Sequence, residues 1–144
     1  MKLVSAALTL LLLISTPVTP AEVLSGPIKA LVISVYDGDT IKVMVFAWPD
    51  IRISVSVRVS GIDTPEIRAK CYEEKLKALA ARAFTMGAVG THVLLYDIKK
   101  GKYAGRVIAR VVTHEGKDLG ELLIAEGLAR LYDGGKRKGW CPDG

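Results

Sequence analysis

The sequence predicts a mainly β fold of the α+β class, a small closed antiparallel barrel of five strands that carries two helices. Three observations predict it: strict two-residue alternation over 51–59, an Asp-Gly-Asp turn between two apolar runs at 37–39, and two stretches where the period changes to that of a helix. The chain of 144 residues has the size of one domain.

Residues 28–36 are apolar and β-branched, Asp37-Gly38-Asp39 turns the chain, and 40–46 resumes the same character, which is the pattern of a hairpin. In the third strand Ile51, Ile53, Val55, Val57 and Val59 alternate with Arg52, Ser54, Ser56, Arg58 and Ser60, so Arg58 falls on the polar face. Pro65 then breaks the ladder, because it has no N–H to donate and biases Thr64 towards an extended backbone. Over 72–86, Leu76, Leu79, Ala80, Ala83 and Met86 recur at helical spacing and predict an amphipathic helix with that face inward. Segments 91–98 and 106–113 read as two more strands around the polar turn 99–102. Asp118 and Glu121 form a capping box for a short helix through Leu119, Leu122 and Leu123, ended by Gly127. The segment 133–144, rich in glycine and lysine, reads as irregular. Five strands with a helix between the third and fourth suggest an oligonucleotide-binding barrel, the OB-fold.

Residues 1–21 read as a secretory signal peptide: Lys2, an apolar run over 3–14, then a proline-punctuated polar stretch with small residues at its end. A membrane span needs about 20 apolar residues, and this run is shorter. The expectation is an exported domain over 22–144, periplasmic or secreted, free of the membrane after signal removal and monomeric. Without Lys2, 19 of the 20 basic residues face 15 acidic ones, a charge of +4 that favours polyanions without selecting one. Export would put Cys71 and Cys141 in an oxidising compartment, where an even count suggests a bridge; two buried thiols is the alternative.

Asp-Gly is a strong hairpin signal and accounts for one aspartate of the turn without any function. It does not account for Asp39 as well, nor for the second acidic cluster, Asp63-Thr64-Pro65-Glu66, that ends the alternating strand. Strand ends converge in a closed barrel, and carboxylates that meet either share a proton or hold a cation. Oxygen ligands with threonine oxygens beside them suit Ca²⁺ or Mg²⁺ rather than zinc. Arg58 and Arg106 add the planar fork that matches a phosphate. Two guanidinium groups, a divalent ion and a spare carboxylate are what phosphodiester hydrolysis requires.

DGDT, VRVSGIDTPE and KYAGR stand in the order and at about the spacing seen in the staphylococcal nuclease or thermonuclease family, and the chain resembles that family over about 28–132. The resemblance implies an OB-type barrel with Ca²⁺-dependent phosphodiesterase activity on DNA and RNA that leaves 3′-phosphate ends. It implies Asp39 and Asp63 as metal ligands, with the Thr64 backbone carbonyl beside them. Glu66 would orient or deprotonate the attacking water, and Arg58 and Arg106 would bind the phosphate. Asp37 would be a supporting acid or simply a turn residue. The family's KYGR stands here as KYAGR, which moves Tyr103 one residue from Arg106. Of the tyrosines that line its nucleobase pocket, Tyr132 alone has a counterpart.

A non-catalytic nucleic-acid-binding barrel is the alternative, although a binder gains nothing from Asp39, Asp63 and Glu66, which repel phosphate unless a cation intervenes. A disulfide-bonded interaction module is a third reading. His92 and His114 read as ordinary surface or packing residues. Lys136-Arg137-Lys138 with Trp140 reads either as a polyanion contact by charge and stacking or as a solvated tail pinned by Cys141.

Overall fold

The computed structural model describes residues 22–142 of the chain; the signal peptide expected over 1–21 lies outside them. The strands are β1 (Val23–Leu24), β2 (Ile28–Asp37), β3 (Thr40–Trp48), β4 (Ile51–Val59), β5 (Ile62–Asp63), β6 (His92–Lys100), β7 (Arg106–Thr113) and β8 (Arg130–Leu131). The helices are α1 (Tyr72–Val89), between β5 and β6, and α2 (Leu119–Ala125), between β7 and β8. Among the described residues, no helix is long and apolar enough to cross a membrane.

Five strands close a ring: β2 pairs with β3, β3 with β4, β4 with β7, β7 with β6, and β6 with β2. Four of these pairings are antiparallel and β4–β7 is parallel, so the barrel is mixed rather than wholly antiparallel. Strand direction cannot alternate all the way round a ring with an odd number of members. One parallel pair is unavoidable, and it falls where α1 and β6 separate β4 from β7 in sequence. The short β1 extends the sheet beside β6, and β5 with β8 forms a separate two-residue ladder that the sequence did not announce.

Alternation fills the barrel with small branched side chains. Ile41 and Val43 on β3, Val57 and Val59 on β4, Val93 and Leu95 on β6, and Val111 on β7 are all buried, with Leu119 and Leu123 of α2 closing one end. The other half of β4 departs from expectation. Ile51 and Ile53 are exposed together with Phe46 and Trp48, because this end of the β3–β4 hairpin projects past the ring: β7 pairs with β4 only from Ser56 to Val59.

The inward face of α1 is also not the one its apolar pattern predicted. Leu76, Leu79 and Met86 are exposed, as are Ala80 and Ala83, while Glu74, Ala78, Ala81, Thr85 and Val89 are buried. Space decides this. A Cβ added at Gly38 would lie 2.8 Å from the Ala81 methyl and 2.9 Å from Thr64 Cγ2, so the helix lies directly on the Asp-Gly-Asp turn and only small side chains fit between them. Thr85 Oγ1 donates to the Gly38 carbonyl at 2.8 Å, and Arg82 Nε donates to the Val35 carbonyl at 3.1 Å. Helix α2 matches its capping box: the Asp118 carboxylate accepts from the Glu121 amide at 3.1 Å.

Candidate active site

The turn between β2 and β3 directs Asp39 inward, where it is 1% exposed. A carboxylate so deeply placed must be saturated with donors, and it is. Its Oδ1 accepts from Arg58 Nη1 at 3.0 Å and from the Thr40 hydroxyl at 3.0 Å, and its Oδ2 accepts from the Thr64 backbone amide at 3.2 Å. Arg58 reaches Asp39 because Thr40 and Arg58 are register partners on β3 and β4. Its second nitrogen reaches Asp63 Oδ1 at 3.6 Å and the Ile62 carbonyl at 3.4 Å. Asp39 and Asp63, 24 positions apart, thus face one guanidinium, and both are buried.

Arg106 begins β7 beside Ser56 of β4 and donates through Nη2 to the Thr40 hydroxyl at 3.3 Å. Thr40 therefore links the second arginine to Asp39. Asp37 lies behind the turn, taking the Asp39 amide at 3.3 Å. Burial, and after it the charge of Asp39, pushes its carboxyl up to about 7. Glu66 sits at the edge with its side chain 44% exposed. Its backbone amide is held at 3.3 Å by Oε1 of the buried Glu74, whose Oε2 takes the Lys70 amide at the same distance. One carboxylate at the start of α1 thereby shapes the whole loop 66–70.

All six residues read from the sequence, Asp39, Arg58, Asp63, Thr64, Glu66 and Arg106, come together at one rim of the barrel. Tyr103 does not join them, being exposed in the loop before β7. His92 and His114 stay out of the cluster. Tyr132 does approach, its ring lying 5.9 Å from the Arg58 guanidinium carbon.

The tail is solvated only in part: Lys136 and Lys138 are exposed, whereas Arg137 and Trp140 turn back onto the protein's own carboxylates, and Cys141 pins the end. Arg137 donates to the Asp63 carboxylate, to Glu66 and, at 3.2 Å, to the Thr64 carbonyl. Partial burial opposes its charge, but the bonds to Glu66 and Asp63 outweigh that cost and hold the guanidinium more firmly protonated than usual. Trp140 Nε1 donates to Asp63 Oδ2 at 3.0 Å, and Arg130 stacks on the Trp140 ring at 3.7 Å. Cys71 and Cys141 are bridged, joining the tail to the N-cap of α1. Thr40, Glu74, Arg130, Arg137 and Trp140 were not assigned to the site from sequence. The run KRKGW did carry a signal for the tail: one of its three cations, Arg137, has the protein's own carboxylates as its anionic partner.

An open groove of about 760 Å³ runs past the rim, lined by Gly61, Asp63, Arg130, Tyr132, Lys136 and Lys138 among others. The donor set beside it is two buried carboxylates, the Thr64 carbonyl and the Thr64 hydroxyl, which is buried without a hydrogen-bond partner. These are oxygen atoms only, so the set fits a hard cation such as Ca²⁺. It does not fit a soft one.

The model of the family described as "Staphylococcal nuclease homologue" matches residues 56–139, more than half of the chain. The chain is also 29% identical over 114 residues to a protein of Escherichia coli named "Uncharacterized endonuclease", and equally so to its counterpart in Escherichia coli O157:H7. The match covers 77% of this chain and 65%, under two thirds, of each relative.

Proposed function

Because the chain belongs to the staphylococcal nuclease homologue family, we propose that it is an endonuclease hydrolysing phosphodiester bonds of DNA and/or RNA, with Ca²⁺ as its cofactor. One observation carries the reading: Arg58 and Arg106 converge on the buried Asp39 at a rim that opens onto a groove lined by basic side chains. Paired guanidinium forks beside buried carboxylates suit a phosphodiester and a cation together, whereas carboxylates alone would repel the strand.

Asp39, Asp63 and the Thr64 carbonyl are the groups that would hold the ion. When bound, Ca²⁺ supplies positive charge at the phosphate and acidifies a coordinated water. Arg58 and Arg106 bind the non-bridging oxygens and stabilise the charge that grows on them as phosphorus becomes five-coordinate. Glu66 accepts a proton from water as its oxygen bonds to phosphorus. The bond from phosphorus to the 5′ oxygen breaks, and that oxygen leaves with a proton from solvent, so the 3′ side keeps the phosphate. Thr40 fixes Arg106 relative to Asp39, and Asp37 supports the turn. We place the enzyme outside the cytoplasm as a monomeric domain over 22–144 released from its leader; the Cys71–Cys141 bridge accords with an oxidising compartment.

Digestion of single-stranded DNA, plasmid and RNA with added Ca²⁺, with and without a chelator, tests the reading. Glu66→Gln should lower the rate about 10²-fold or more while keeping strand affinity, the scale of one acid–base group. A wild-type protein that binds strands without cutting them, and binds better as Glu66→Gln, is a binding module instead.

A further inference from the structure

We propose that Arg137 is an internal counter-cation that competes with the divalent ion for the acidic cluster, so that filling the metal position requires the tail to withdraw. The inference rests on the reading of Asp39, Asp63 and Thr64 as metal ligands. Arg137 touches three of the oxygen-bearing groups at once: Asp63 through Nε and Nη2, the Thr64 carbonyl through Nη2, and Glu66 through Nη1. Arg58 faces Asp39 and, at 3.6 Å, Asp63, but it makes no bond to the Thr64 carbonyl or to Glu66. Trp140 and Arg130 approach the other oxygen of Asp63, so that carboxylate is saturated from the tail side. A guanidinium and a divalent ion drawn to the same oxygens repel at such close range, so each weakens the hold of the other. While Arg137 is in place it also occupies Glu66, the group assigned to the attacking water.

The tail is built to hold this arrangement and to release it. Both ends of the loop are anchored, one by β8 on β5 and the other by the Cys71–Cys141 bridge. Arg130 fastens the far side by donating to the Lys138 and Gly139 carbonyls, at 2.8 and 3.2 Å. Between the anchors, Gly134 and Gly135 precede Arg137, and Gly134 has a positive φ of 96° that favours glycine. Arg137 can leave the acids by movement of this loop alone, without unfolding the barrel.

Calorimetric titration of Ca²⁺ into the full mature domain, compared among wild type, Arg137→Gln and Lys136→Gln, tests the competition without reference to activity. Arg137→Gln should bind Ca²⁺ at least about ten-fold more tightly than wild type, the scale of one charge-assisted hydrogen bond. Lys136→Gln removes the same formal charge one residue away and should bind within about three-fold of wild type. In wild type, the Arg137 Nε–H resonance should shift and lose its protection from solvent exchange as Ca²⁺ saturates. Equal affinities for the two variants, or an Arg137 resonance unchanged at saturating Ca²⁺, would overturn the competition and leave the metal reading standing. Absence of Ca²⁺ binding in all three proteins would overturn the metal reading and the competition with it.

Discussion

The two ends of the β3–β4 pair are built by opposite means. At the Thr40–Arg58 end, side chains from β2, β3, β4, the loop 64–66 and the tail meet around buried carboxylates, joined by guanidinium bonds and a disulfide. At the Trp48–Ile51 end, Phe46, Trp48, Ile51 and Ile53 are exposed, and the strands pair only with each other. Apolar residues usually mark where a fold is held and polar ones where it is not, yet here the order is reversed. Charges that are buried and fully bonded make residues distant in sequence depend on one another, whereas an aromatic side chain in water depends on nothing.

That contrast is open to measurement, and the largest effect should come from the covalent link. Replacing both Cys71 and Cys141 by Ser should lower unfolding free energy by about 4 kcal/mol, the chain-entropy value for a loop of this length. Urea unfolding monitored by circular dichroism reads it. A loss below about 1 kcal/mol would mean that the tail is held by its arginine and tryptophan contacts alone.

Next in size, Arg58→Gln should cost about 3 kcal/mol, because Asp39 would keep its burial and lose its closest cation. The same denaturation experiment measures it, and Asp39→Asn combined with Arg58→Gln should recover part of the loss.

The third prediction concerns pH. Asp37 holds its proton up to about 7 in the folded protein, against an ordinary aspartate value of 3.8 in the unfolded chain. Between those values the folded state binds the extra proton, so stability is greatest below about pH 4 and declines as pH rises towards 7. The slope from this group should reach at most about 1.4 kcal/mol per pH unit. Asp37→Asn should remove that slope, and identical pH profiles for the two proteins would show that Asp37 is charged when folded. Smallest of all, Trp48→Ala at the opposite end should change stability by no more than about 0.5 kcal/mol. A larger loss there would erase the contrast between the two ends.

Much of the site was legible in the chain. The Asp-Gly-Asp turn, the alternation that carries Arg58 and the acidic break after β4 are local patterns, and local patterns place residues at strand ends, where a barrel gathers them. The inward face of α1 was read wrongly for an equally physical reason. Leu76, Leu79 and Met86 outrank Ala78, Ala81 and Thr85 in apolarity, but the gap over Gly38 admits only small side chains, and fit prevailed over hydrophobicity. The antiparallel ring failed on a count of strands rather than on any residue. The role of Arg137 could not be read from period or turn chemistry, because its partners Asp63 and Glu66 lie 74 and 71 positions away.

By itself the sequence determined the five strands of the barrel, the two helices, where they turn, and that acidic and basic side chains end up at strand termini, since those properties depend on neighbours a few residues apart. The tertiary structure alone decided that the strands close with one parallel pair, that α1 presents its small residues inward, and that the tail delivers a guanidinium to the acids. Each of these depends on the space and charge left by groups distant in sequence, and that space exists only once the barrel has closed.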